Sequence, residues 1–408
     1  MLMLVFHYEN VERGMASSTP LSEAHQALIE RLRTMGELHD TRVEKAFMSV
    51  PRHLFLPNIS EDRAYADESI VVKQDAQDDV LCSSILPSMV ARMLNHIDIQ
   101  DGQNILEIGS GTGYSAALMR EVAGSSGTIT SVEIDPSNAN TAQDNLLRAK
   151  ISGVNIVNAD GAQGYAPRAA YDRIVSTVGI WDIPVAWIDQ LKSNGKLIAP
   201  IWLDGLQVVA TFTAGEDGTF YSEHNSAGVF IYLSGAEKLP AIQKRVGSTA
   251  LSLLSDQTSK IDTAALHLLL SHDQESCHLS TSLNTHEYWY GFIPYAMINE
   301  PSDSIFVLYE VLEDQKAYGI DGKGFGVFTP GSAVFVPYDG IGYAHCFAGS
   351  DAFISLETLL DSWNADGRPG MKSLRLRLIP KQGDIKPVIT HGKLYERRYN
   401  YLHVWQEK

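Results

Sequence analysis

Residues Asn104 to Asp135, NILEIGSGTGYSAALMREVAGSSGTITSVEID, constrain this chain more than any other stretch. Asn104-Ile105-Leu106-Glu107-Ile108 is a short apolar run of the kind that forms a strand buried on both faces of a parallel sheet. Gly109-Ser110-Gly111-Thr112-Gly113 follows at once, and glycines there let the main chain approach a ligand that a Cβ would exclude. Ser115 to Val122 has helical spacing, with Ala116, Leu118, Met119 and Val122 available for one face. Thr128 to Ile134 is rich in β-branched residues and closes on Glu133 and Asp135. This order, strand, glycine turn, helix, strand, acid, is that of a nucleotide-binding α/β unit. A carboxylate after the second strand accepts hydrogen bonds from ribose hydroxyls.

Two cofactor chemistries use such a unit. Dinucleotide enzymes show G-x-G-x-x-G, with a pyrophosphate on a helix N-terminus. Here Gly109, Gly111 and Gly113 give G-x-G-x-G, with an acid, Glu107, just before them. An acid beside the loop repels a pyrophosphate but suits a ligand with a sulfonium and an ammonium group. The E-x-G-x-G-x-G pattern resembles motif I of the class I methyltransferases, and Glu133 matches their ribose-binding acid. The resemblance implies S-adenosyl-L-methionine as cofactor, held by Glu107, Gly109, Ser110, Gly111, Gly113, Tyr114, Glu133 and Ile134.

The 408 residues suggest two or three domains. The net charge of −17 argues against nucleic acid as the main partner, because phosphate binding needs basic surface. The same charge tolerates a basic peptide. Cys82, Cys277 and Cys346 lie far apart, without metal-ligand spacing, and their odd number suits a reducing compartment such as the cytoplasm. His272, His278, His286 and His345 likewise have no metal spacing, so no metal is expected. No apolar run reaches the length of about 18 residues that a membrane span needs, so no membrane partner is expected. The start, MLMLVFHYENVERG, lacks a basic n-region and a cleavage site and does not read as a signal peptide.

Residues 1–18 read as a flexible lead-in. Ser22 is positioned to cap a helix from Glu23 to Met35, and Asp40 or Thr41 a second one through Val50. Then come Val50-Pro51-Arg52-His53-Leu54-Phe55-Leu56-Pro57, Ala64-Tyr65-Ala66-Asp67 and Pro87-Ser88-Met89-Val90-Ala91. V-P-R-H-x-F-x-P, A-Y-x-D and P-x-M-V-A ahead of motif I form the pattern of the protein-L-isoaspartate O-methyltransferases. The resemblance continues through Asn158-Ala159-Asp160-Gly161, Tyr171-Asp172-Arg173-Ile174-Val175 and Leu191 to Pro200, and covers about residues 20–212. It adds Asp160, Gly161 and Thr177 to the implied cofactor set. Short apolar strands separated by longer segments, most of them helical, fit the fold it implies, an α/β doubly wound parallel sheet of the class I methyltransferase type.

The acceptor side departs from that family. Its T-I-S-x-P serine, aligned on Pro87, falls on Ile85, while the serines here are Ser83 and Ser84. Lys73-Gln74-Asp75-Ala76-Gln77-Asp78-Asp79 replaces a glycine-rich run, and Ser88 stands where a histidine often follows the proline. Methyl transfer to a carboxylate needs mostly positioning of the oxygen in line with the methyl carbon. Ser83 or Ser84 is the candidate catalytic residue for orienting the acceptor, and Ser88 a candidate substrate contact. The bland alternative is a loop or helix cap.

From about Gly215 the resemblance fades, and residues 216–408 read as an additional C-terminal α+β domain after a methyltransferase domain over 19–215. Val229 to Leu233, Ile305 to Tyr309, Gly326 to Phe328, Ser332 to Val336, Leu374 to Ile379 and Tyr401 to Trp405 read as strands. Ala241 to Leu254, Ala264 to Leu270 and Ile354 to Trp363 read as helices. Gly322 to Gly326 reads as a hairpin turn, and Tyr288 to Phe292 as aromatic core.

A long extension on such a core resembles a subgroup that modifies ribosomally made peptides, including lanthipeptides. These enzymes methylate an aspartyl side chain, and attack by the next amide gives a succinimide that opens to isoaspartate. The extension would then recognise the peptide. Repair of isoaspartyl protein is the alternative, and a catalytically inactive cofactor-binding interaction protein is the second. Aspartyl or isoaspartyl peptide is thus the expected partner. Oligomeric state is not readable from the sequence.

Overall fold

The computed structural model describes residues 21–76, 80–272, 274–338, 342–381 and 386–407. The lead-in at 1–18 and Gln77-Asp78-Asp79 of the altered segment lie outside them. Nineteen strands occur among the described residues. In chain order they begin with β1 (Ile70–Gln74), β2 (Val80–Ser84), β3 (Asn104–Ile108), β4 (Thr128–Glu133) and β5 (Val154–Asn158). Next come β6 (Tyr171–Ser176), β7 (Leu191–Leu203), β8 (Leu206–Ala214) and β9 (Phe220–Gly228). The second half adds β10 (Gln243–Arg245), β11 (Leu251–Leu254), β12 (Gln274–His278), β13 (Ile305–Val311), β14 (Lys323–Thr329), β15 (Ser332–Pro337) and β16 (Tyr343–Ala348). It ends with β17 (Leu374–Pro380), β18 (Lys393–Glu396) and β19 (Asn400–Gln406).

Ten of these form one sheet, in the order β18-β19-β17-β9-β8-β7-β6-β3-β4-β5. β5, β4, β3, β6 and β7 run parallel, and the rest are antiparallel. Alternation along each strand sends side chains to opposite faces. Ile105, Val175 and Ile198 pack under helices that include Glu23–Thr34, Pro87–Ile97 and Tyr114–Val122. Leu106, Ile174 and Leu197 join a second core with Phe306, Phe325, Trp363 and Leu376 from the second half. β10–β16 form a separate antiparallel sheet, and β1 and β2 a hairpin.

Strands on both sides of residue 215 therefore share one sheet: β17 pairs with β9 at Arg377↔Tyr221 and Leu378↔Phe220. Buried charge ties the second half in as well. Arg397, 3% exposed, bonds Asp256 through both terminal nitrogens at 3.1 and 3.0 Å. Lys393 donates to Asp204 at 2.9 Å and to Glu300 at 2.5 Å, and the Tyr395 hydroxyl donates to Asp204 at 2.8 Å.

The helix caps follow the sequence: Ser22 accepts from the His25 amide and Asp40 from that of Arg42. Three local expectations do not. Ala241 to Leu254 holds β10 and β11 rather than a helix, because pairing of β11 with β13 outweighs local helical spacing. Val229 to Leu233 forms no strand and makes one bridge, Tyr232 to Gly179. Gly322 to Gly326 is no hairpin turn: β14 begins at Lys323 and pairs with β13, which ends at Val311.

Candidate functional site

The cleft lies at the C-terminal ends of the parallel strands, where an open α/β sheet places its ligand. Gly109, Gly111 and Gly113 have φ of +93°, +52° and +85°. A Cβ on Gly109 would sit 2.8 Å from both Thr177 Oγ1 and Val178 Cγ1. Gly111 faces β2, and the nearest atom to an added Cβ would be the Ser83 carbonyl oxygen at 3.8 Å. The first glycine thus lets two strand ends meet, and the second leaves a shallow cradle between loop and hairpin.

The expected cofactor residues divide into a lining and a support. Gly109, Ser110, Gly111, Tyr114, Glu133, Ile134, Gly161 and Thr177 line the cleft. Glu133 is 8% exposed and takes the Gly111 amide on one oxygen and the Asp135 amide on the other, each at 3.1 Å. The Thr177 hydroxyl donates to the Ile108 and Gly109 carbonyls, fixing the loop's first turn. Tyr114 is buried against Phe47 and Phe55, with the Arg52 guanidinium 5.1 Å from its ring centre.

Glu107, Gly113 and Asp160 are not part of the lining. Gly113 begins the helix Tyr114–Val122 and packs on Ala142. Asp160 accepts from the Ala162 amide at 2.9 Å and the Ala236 amide at 3.0 Å, so it shapes the cleft wall through main chain. Glu107 is fully buried and accepts from the hydroxyls of Ser115 and Ser131, while Ser131 and Ser110 hydroxyls lie 2.6 Å apart. The acid thus braces the loop from beneath.

Burial pushes the Glu107 carboxyl up to about 7, opposed by its two serine bonds and helped by nearby Glu133. The folded chain therefore holds this proton more tightly than the unfolded chain does. Stability carried by the raised pKa is present below pH 4.5 and is lost as pH rises toward 7. Glu107→Gln should remove that slope. Denaturant melts of both proteins across this range should diverge by a total on the order of 3 kcal/mol, the wild type losing ground as pH rises. Parallel curves would show that Glu107 is not the group responsible.

On the acceptor side, Cys82, Ser83, Ser84 and Ile85 line the same cleft. Ser84 is 4% exposed and Ser83 half-buried. They belong to β2, in register with Ile70 and Val71 of β1. Burial, with the Glu133 charge, pushes the Cys82 thiol up to about 12, so it stays protonated and is no nucleophile near neutral pH. Ser88 is buried in the helix Pro87–Ile97, does not line the cleft, and gives its amide to Asp67 at 2.8 Å. Asp67, from the A-Y-x-D segment, thus anchors the start of that helix. Lys73, in the altered segment, reaches from β1 to Asp135 at 2.5 Å and Ser137 at 2.8 Å, fastening the hairpin beside Glu133.

The wall that the sequence reading missed is Ile231-Tyr232-Leu233-Ser234, together with Val178. Its main chain is bridged to Gly179, and the Leu233 amide donates to the Gly179 carbonyl at 2.8 Å. An apolar run after a glycine gave no local signal that it returns to the first half. Among the described residues no cluster of histidine, cysteine and carboxylate side chains suits a metal ion, and no helix is long and apolar enough to cross a membrane.

The glycine cradle, the rim acid and the apolar floor fit an adenosyl group with a cationic tail. The sequence profile of the protein-L-isoaspartate(D-aspartate) O-methyltransferase family matches residues 23–238 and so takes in the Ile231–Ser234 wall. The protein-L-isoaspartate O-methyltransferase of Methanopyrus kandleri is 34% identical over 215 residues, 52% of this chain and 92% of that protein. That of Methanoculleus marisnigri is 38% identical over 183 residues, 45% of this chain and 79% of its own. A solved structure described as a protein-L-isoaspartate O-methyltransferase covers 86% of this chain and 96% of its own, at 25% identity and a TM-score of 0.50. A match of that extent reaches well beyond residue 238. The fold is the class I methyltransferase sheet extended by further strands, and the chain belongs to the protein-L-isoaspartate(D-aspartate) O-methyltransferase family, as an S-adenosyl-L-methionine-dependent methyltransferase.

Proposed function

We propose that this chain methylates the free carboxylate of an L-isoaspartyl residue in a polypeptide. The observation that carries this is one cleft lined by the glycine loop, Glu133 and the β2 serines together. The cofactor supplies a methyl group that moves from sulfonium sulfur to the carboxylate oxygen, giving a neutral ester and a neutral thioether. No proton changes hands, so the protein's part is orientation and exclusion of water. Ser83 or Ser84 orients the acceptor carboxylate by donating a hydroxyl hydrogen bond. The closed hairpin, fastened by Lys73, holds those serines against Gly111. The free cysteines suit a reducing compartment such as the cytoplasm.

A second reading, methylation of an ordinary aspartyl side chain on a dedicated ribosomal peptide such as a lanthipeptide precursor, is favoured by the acceptor side. Ile85 occupies the family's serine position, and the Lys73 hairpin replaces its glycine-rich run. The extended second half does not favour it specifically, because the solved relative covers most of this chain.

Labelled methyl donor and a pair of peptides, differing only in aspartyl or isoaspartyl linkage, separate the readings. Label on the isoaspartyl member alone supports the first, and label on a specific aspartyl precursor alone supports the second. Transfer to neither would leave a cofactor-binding interaction protein. Ser83→Ala and Ser84→Ala should differ: the orienting serine should lose roughly 10- to 100-fold in kcat/KM, about 1.4–2.7 kcal/mol, at unchanged cofactor affinity. Equal small effects from both would remove the serines from that role.

A further inference from the structure

A second depression lies away from the cofactor cleft, between the end of the helix Pro87–Ile97, β9 and the second half. It encloses about 1070 Å³. One wall comes from residues beyond 238, outside the region matched by the family profile, so the second half creates this groove.

Its floor is a strand edge. β17 meets β9 by main-chain pairing only at Tyr221 and Phe220. Beyond them side chains replace the ladder: the Leu376 amide donates to Ser222 Oγ at 2.8 Å, and Asn225 Nδ2 donates to the Leu374 carbonyl at 2.6 Å. From Glu223 to Gly228 that edge of β9 therefore meets no strand among the described residues, leaving alternate N–H and C=O groups unladdered. Three buried polar atoms in the groove's walls, His96 Nδ1, Asn225 Oδ1 and Ser226 Oγ, have no hydrogen-bond partner.

The charge is also unlike that of the rest of the chain. The net charge overall is −17, yet the groove carries four cations against three carboxylates. Glu37 and Glu287 are neutralised within it by Arg92 and Arg368, and Glu223 by Lys196 from outside. Arg375 is neutralised from outside by Glu407, and Lys372 makes no ion pair among the described residues. Tyr290, 44% exposed, stands at the rim. An unladdered main-chain edge, an exposed aromatic ring and a free cation together suit an extended polypeptide rather than a compact ligand.

We propose that this groove docks an extended, carboxylate-bearing segment of polypeptide. That the segment belongs to the methyl acceptor rests on the reading given under Proposed function. One helix joins the two places: Val90 lines the cofactor cleft, while Arg92 and His96 line the groove. Val90 and His96 lie about 9 Å apart along the helix axis, a span that a few extended residues cover.

The test uses the full chain and two labelled peptides, one glutamate-rich and one lysine-rich, of equal length. The glutamate-rich peptide should bind and slow amide exchange across Glu223–Gly228. Lys372→Glu should weaken that binding by about tenfold. Tyr290→Ala should weaken it too, with thermal melting confirming that both variants fold. No protection of β9, equal binding of both peptides, or an unaffected Lys372→Glu variant would overturn the proposal. So would β9 protection that grows with protein concentration without peptide, since a second copy would then be the occupant. Methyl transfer to a short acceptor peptide, measured alongside, keeps the ideas apart. Its loss with groove binding intact sinks the function reading alone, and the reverse result sinks the groove.

Discussion

Gly109→Val should abolish measurable cofactor binding, while Gly111→Ala should only weaken it. At Gly109 two penalties combine. Its φ of +93° is foreign to β-branched residues, and any Cβ would meet Thr177 Oγ1 and Val178 Cγ1 at 2.8 Å. Thr177 does not yield easily, because its hydroxyl is held by two main-chain carbonyls. The loop must shift, carrying Ser110 and Gly111 with it. A loss of at least about 100-fold in cofactor affinity, or roughly 2.7 kcal/mol, is expected. At Gly111 the φ of +52° is one that alanine can adopt at a cost of about 1–2 kcal/mol, and the added Cβ meets nothing closer than 3.8 Å. Calorimetric titration of both variants with S-adenosyl-L-methionine checks this. Equal losses would mean that the loop's geometry does not depend on the Gly109–Thr177 contact.

The largest effect on stability should come from far along the chain. Arg397→Ala should destabilise the fold by about 3–5 kcal/mol, because it strands the Asp256 carboxylate, whose side chain is 11% exposed, without a cation. Asp256 would keep the indole N–H bonds of Trp181 and Trp202, at 3.2 and 3.0 Å, but no cation. Arg397 also stacks on Trp181 and Tyr395, so packing is lost as well as charge. The neighbours of Arg397 bond two segments that continue from the cleft-lining residues Val178 and Ser234. Asp182 accepts from the Tyr399 amide and from Asn400, and Glu237 accepts from Arg398 and Tyr399. The variant should therefore bind cofactor more weakly as well as unfold earlier. Replacing both partners, as Arg397→Met with Asp256→Asn, should recover much of the stability in chemical denaturation. No recovery would show that the ion pair itself is not what Asp256 requires.

The parts of the site that were legible in the sequence are those whose signal is local. Gly109 to Gly113 follows a buried strand, and positive φ at each glycine is the conformation that this spacing suggests. Ser22 and Asp40 act as caps because a cap is decided by its own few residues. Glu107 was legible as important but not as to its role: an acid before a glycine loop reads as a ligand for a cation, and the structure turns it down onto Ser115 and Ser131. Which way a side chain on a doubly buried strand points depends on what fills each face. Ser88 reads as a substrate contact from its neighbour Pro87, but the amide bond to Asp67 fixes it inside the helix start. The Ile231–Ser234 wall and the shared sheet were not legible, because both depend on partners more than 50 residues away. Leu374 to Ile379 showed its alternation plainly, yet alternation says that a strand has one buried face and not which sheet it joins.

That sheet has a consequence for how the molecule is made. Tyr221 finds its partner at Arg377, and the strand beyond it, β19, ends only at Gln406. A ribosome releasing the chain from its N-terminus delivers the parallel strands and the glycine loop early. The outer strands, and the Arg397–Asn400 turn that bonds Asp182 and Glu237, emerge much later. Such long-range pairing is slow and leaves strand edges open in the meantime. Maturation of the cleft is thereby tied to the synthesis of strands about 150 residues further along, which act as the fastening on a pocket whose other parts are made long before them.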